Sequence, residues 1–184
     1  MADVLEPRVR KWTREEYYKM GELGLFEGQR VELIDGEIIE MSPMGNPHVI
    51  AASLAHDALQ RAFGVGFWVR HGAPISVSSI SEPEPDIAVV KGTPREFKDH
   101  PSTALLAVEV SETTLAMDRK RKASLYASAG ILDYWIVNLS PSIETLDNIH
   151  ISLPFFFICG FYLSCKNEII FMVTLYFDRI YLRL

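Results

Sequence analysis

The sequence predicts an α/β fold, a mixed β-sheet flanked by helices and preceded by a β-hairpin, on three observations. Asp35-Gly36 divides two short apolar runs, LLAVEVS is nearly continuous in apolar and β-branched residues, and a helix-like stretch separates that run from a second one, ILDYWIVNL. A strand buried on both faces reads as such a run, and the order strand, helix, strand implies a parallel crossover. The chain's 184 residues are enough for one ordinary core.

The elements follow in order. Thr13-Arg-Glu-Glu16 is a capping box, in which the threonine oxygen accepts from the Glu16 amide while the Glu16 carboxylate reaches back, so a short helix should run to about Leu23. RVELIDGEIIEM reads as two strands around Asp35-Gly36, because a type I′ turn needs positive φ and these residues tolerate it. Between 47 and 63 the apolar residues Ile50, Leu54, Ala58, Leu59 and Ala62 recur at helical spacing, with His56, Asp57, Gln60 and Arg61 on the outer face. Three strands are expected next, GFWVRH, APISVS and DIAVV, the last behind the turn-rich SEPEP; a polar loop, KGTPREFKDHPST, leads into LLAVEVS. Asp118 is placed to cap the helix RKRKASLYASAG, and Gly130 to end it.

Composition bounds the function. A net charge of −6 and a pI near 5.4 exclude a protein that coats nucleic acid with its whole surface, since such binders neutralise phosphates with dispersed Lys and Arg. Charges in MADVLEPRVRKW occupy the place of a signal's apolar core, and no apolar run reaches the roughly 18 residues of a membrane span, so a cytoplasmic protein without a membrane partner is expected. Cys159 and Cys165 stand without further cysteines to complete a zinc site and read as incidental. There is no HExxH, which argues against a zinc hydrolase.

The chain divides at about residue 140. Segment 141–184 contains no alanine, both cysteines and six of the ten phenylalanines. Two explanations fit: extra buried strands, since IIFMVTLYF has strong β character, or a disrupted reading frame that left accidental sequence.

Two acids occur where strands are otherwise apolar, Asp86 at the start of DIAVV and Glu109 within LLAVEVS. A buried carboxylate costs several kcal/mol unless a cation or donor offsets it. A divalent metal is one such partner, and carboxylate and carbonyl oxygens with water suit Mg²⁺ and phosphodiester hydrolysis, with Lys122 as the lysine that stabilises charge. Ion pairs with Arg119, Lys120, Arg121 or Lys122 are another, and the residues alone fit both readings.

Beyond those residues, VELIDGEIIEMSPMGNPH, EPDIAVV and LLAVEVSETTLAMDRKRKASLYASAGILDYWIVN, with WTREEYYKM more loosely, resemble in order and spacing the Uma family of restriction-endonuclease-like proteins. That family, once a domain of unknown function, belongs to the PD-(D/E)XK nuclease superfamily. The resemblance covers about residues 11–139 and implies a restriction-endonuclease-like domain over 1–140 that hydrolyses DNA with Mg²⁺, or Mn²⁺ in its place. It implies that Asp86, in Pro85-Asp86, and Glu109, in VEVS, are metal ligands with the Val110 carbonyl. Ser111 stands where the superfamily has its lysine, and the family pattern moves that lysine to the next helix, at Lys122. Glu32 matches an additional acid and His48 a frequent family histidine, though a lone histidine at a helix start also serves as a cap. Tyr126, one helical turn beyond Lys122, reads as a packing or hydrogen-bonding residue. Nucleases of this kind often dimerise, so a homodimer is expected. Ser111 and the tail motivate the alternative, an inactive remnant acting as an interaction module.

Overall fold

A computed structural model describes residues 8–139, and beyond them the backbone of three strands, Tyr162–Cys165, Ile169–Tyr176 and Arg179–Arg183. The expectations for 141–184, Cys159 and Cys165 included, otherwise lie outside the described residues. No helix among the described residues is long and apolar enough to cross a membrane.

Helix α1, Arg14–Glu22, begins at the capping box, with both reciprocal bonds formed. The hairpin pairs β1, Val31–Ile34, with β2, Glu37–Glu40, in antiparallel register. Asp35 and Gly36 have φ of 51° and 72°, as the turn requires. Gly36 has a second reason to be glycine: a Cβ there would stand 2.6 Å from the Lys11 Cβ. Helix α2, Asn46–Phe63, has Pro47 in its first turn.

The main sheet is ordered β3-β4-β5-β6, from Phe67–His71, Ile87–Lys91, Leu106–Ser111 and Asp133–Asn138. The first three strands are antiparallel and β6 lies parallel to β5, so the crossover forms. Its helical run comprises α3, Leu115–Met117, a π-helical turn, Asp118–Lys122, and α4, Ala123–Ser128. Gly130, at φ 72°, follows its end. The strand alternation sorts side chains into two cores: Ile87, Val89, Leu106, Val108 and Val110 pack toward α2, and Ala88, Val90 and Ala107 pack toward Ala123 and Tyr126. Helices therefore cover both faces. The three later strands, β7 to β9, pair antiparallel with one another in a separate sheet.

Three expectations are corrected. APISVS forms no ladder strand; its amides go to different neighbours, Ile75 to the Pro83 carbonyl at 2.9 Å and Ser76 to that of Pro101 at 2.8 Å. The buried residues of α2 are Ala51, Ala52 and Leu59, with Ala55 and Phe63 partly buried against the same core, while Ile50 is exposed, because the helix turns this face and not the Ile50 face to the sheet. Asp118 is no cap: its φ and ψ of −62° and −44° put it inside the helical run, where a π turn replaces an α-helical start.

Candidate active site

The hairpin, the start of β4, the middle of β5 and the π turn converge on one cleft. Each acid reaches it by strand alternation. Glu32 points inward from β1, Asp86 precedes β4, and Glu109 lies on the face of β5 opposite Val108 and Val110. The hairpin is held in place from outside by Arg121, which donates to the Ile34 carbonyl at 2.8 Å and pairs with Glu37 at 2.8 Å. Its chain neighbour Lys122 grips the hairpin from inside.

Lys122 is buried and shared between two carboxylates. Its Nζ lies 3.0 Å from Glu109 Oε1 and 3.1 Å from Glu32 Oε2. Tyr126 donates its hydroxyl to the same Glu109 Oε1 at 2.7 Å. The π turn makes this alignment: a wider turn cancels the drift that residues four apart accumulate on an α-helix, so Asp118, Lys122 and Tyr126 all face the sheet, each 2% exposed or less. Asp86 belongs to the same constellation through Val110, whose amide donates to Asp86 Oδ2 at 2.7 Å. On the other oxygen, Oδ1, sits His48 Nε2 at 2.9 Å. Asp118 accepts from the Thr114 hydroxyl at 2.6 Å, and Ser111 is buried beside it.

The cleft carries more negative than positive charge. Glu32, Glu84, Asp86, Glu109, Glu112 and Asp118 line it against the permanent cations Arg30 and Lys122. Burial pushes the Glu109 carboxyl up, Lys122 opposes it, and Glu32, Asp86 and Asp118 add to it, for a value of about 8. Burial likewise raises Asp118 and Glu84. Burial alone would lower the Lys122 ammonium, but Glu109 and Glu32 outweigh it and hold the proton on. The Tyr126 hydroxyl is raised well above its ordinary range, by burial first and Glu109 second, so it acts as a donor.

The donor set fits a hard cation. Among the described residues no three His, Cys, Asp or Glu side chains converge at ligand spacing. Asp86, Glu109 and the Val110 main chain line the cleft and bring oxygen donors of the kind Mg²⁺ accepts. A Glu109 carboxyl raised by burial and neighbouring acids is the mark of a place short of positive charge.

All the residues singled out in the sequence, Glu32, His48, Asp86, Glu109, Val110 and Lys122, line this one cleft. The sequence did not single out Arg30, Glu84 or Thr114, and Asp118 only as a cap. Glu84 had a signal, since it stands two residues before Asp86 and so shares its side of an extended segment.

Comparison with known proteins bears on the family and the fold. The profile of the Uma2 family, described as "Putative restriction endonuclease", matches residues 14–146. The fold resembles the crystal structure of "a putative nuclease belonging to DUF820" from Anabaena variabilis, with a TM-score of 0.54 and 14% identity over 68% of this chain and 73% of that one. It is accordingly a restriction-endonuclease-like fold. No curated protein matches the sequence.

Proposed function

The chain belongs to the Uma2 family, and from that premise we propose that it is a Mg²⁺-dependent endonuclease that hydrolyses the phosphodiester bonds of DNA. The observation that supports this best is the buried Lys122 ammonium held between Glu109 and Glu32, beside an Asp86 tied to Val110. Asp86, Glu109 and the Val110 carbonyl would hold the cation. When bound, Mg²⁺ or Mn²⁺ polarises a phosphodiester oxygen and lowers the pKa of a coordinated water.

The chain's own residues supply position and charge. Lys122 keeps its proton, so it stabilises developing negative charge as a fixed cation and does not act as a base. Glu32 holds that ammonium in place, and Lys122 with Tyr126 fixes Glu109 by one oxygen, leaving Oε2 for the cation. His48 on Oδ1 and the Val110 amide on Oδ2 together fix the orientation of Asp86. Ser111 stands at the expected lysine position, and on this reading Lys122 supplies the charge from the helix, 3.0 Å from Glu109 Oε1.

Incubating the protein with supercoiled plasmid and Mg²⁺ or Mn²⁺ tests the proposal. Nicked and linear DNA should appear with the wild type and not with Asp86→Ala. Equal cleavage by both proteins, or none by a folded wild type, refutes it.

A further inference from the structure

A cleft lined by six carboxylates repels a phosphodiester chain, so besides the electrostatic role of Lys122 an endonuclease with this site needs a cation exposed enough to contact a phosphate directly. Lys122 does not qualify: it is 1% exposed and engaged by Glu109 and Glu32 at 3.0 and 3.1 Å. The other lysine or arginine lining the cleft among the described residues is Arg30. It stands two residues before Glu32 in the extended lead-in to β1, on the same side of the chain. The Met41 amide bonds its carbonyl at 2.8 Å and so continues the hairpin ladder to this residue. Its side chain is 31% exposed, and its Nε lies 3.8 Å from Glu84 Oε2, too far for a hydrogen bond.

On the nuclease reading above, we propose that Arg30 binds a backbone phosphate of the substrate, and that Glu84 parks the guanidinium until the phosphate replaces it. A guanidinium suits this task because its planar fork can give two parallel N–H bonds to phosphate oxygens. Glu84 lies two residues before Asp86, so the phosphate that meets Arg30 arrives beside the proposed cation ligands. The contact reads the backbone and carries no sequence preference.

Anisotropy of a short labelled DNA duplex, with Ca²⁺ in place of Mg²⁺, tests this. Arg30→Ala should weaken binding about tenfold or more, as loss of a charge-assisted bond does, and lower the slope of log K against log salt by about one. Arg30→Lys should restore the slope and part of the affinity. Glu84→Gln should tighten binding, and the gain should shrink in the Arg30→Ala background. In cleavage the Arg30→Ala loss should fall on KM, with Ca²⁺ affinity by calorimetry unchanged. An Arg30→Ala protein with wild-type affinity and slope overturns the assignment while leaving the nuclease reading intact if plasmid is still cut. A wild type that neither binds the duplex nor cuts plasmid overturns both.

Discussion

Two buried carboxylates in this protein have the same kinds of partner and opposite surroundings. Glu82 is bonded by Arg14 and by the Tyr18 hydroxyl, with His100 at 4.0 Å. Glu109 is bonded by Lys122 and by the Tyr126 hydroxyl. Around Glu82 the acid has its own guanidinium, and the cluster ties α1 to the segment that crosses Leu33. Around Glu109 one ammonium serves two carboxylates, with Asp86 and Asp118 adding to the charge. A buried acid with its own counter-ion is a fastening, whereas a group of buried acids sharing one cation is where the proposed metal would act.

The largest expected effect comes from removing the shared cation. Lys122→Met should abolish cleavage and cost about 3–5 kcal/mol of stability, because Glu32 and Glu109 lose the buried partner they share. Urea unfolding of the variant beside the wild type measures this.

The wild type should itself show the imbalance. Glu109 has a folded value of about 8 against an ordinary 4.5, so its contribution is complete below about pH 4.5 and is lost as pH rises toward 8. In EDTA the urea midpoint should therefore fall across that window, and Glu109→Gln should flatten the fall. A wild-type midpoint independent of pH would remove the distinction between the two acids.

Glu82→Gln should cost about 2 kcal/mol, the worth of a hydrogen-bonded charge with a partly solvated partner. On the proposed metal site Mn²⁺ should raise the Tm of the wild type, and Glu82→Gln should keep that gain whereas Glu109→Gln should lose it. If both variants lose it, the two carboxylates are not functionally separate. The smallest effect is Thr13→Ala, which removes the cap of the helix that carries Arg14 and Tyr18 to Glu82, at about 1 kcal/mol by thermal unfolding and with cleavage unchanged.

Much of this arrangement is legible in the chain because its causes are local. Asp35-Gly36 forms its turn through two backbone angles, Thr13 and Glu16 cap across three residues, and Leu106–Ser111 is apolar enough to reveal that Glu109 needs a partner. Other features escape because their cause lies elsewhere in space. APISVS has strand-like composition, but its amides find carbonyls at Pro83 and Pro101 that do not form a ladder. Ile50 matches the helical period, yet Ala51, Ala52 and Leu59 are the residues of α2 that meet the sheet, because the docking of the helix sets which face is covered. Glu82 sits in a turn-rich stretch, and nothing local announces a guanidinium arriving from 68 residues earlier.

The sequence by itself determined the hairpin, the crossover and the presence of two acids in strands that should be apolar, since propensity, turn angles and periodicity act between neighbours. Only the tertiary structure decided which carboxylates share a cation. Lys122 meets Glu32 across 90 residues, and the π turn that aims it was invisible in the helical pattern. Coulomb energy depends on separation and burial, and both are set by packing.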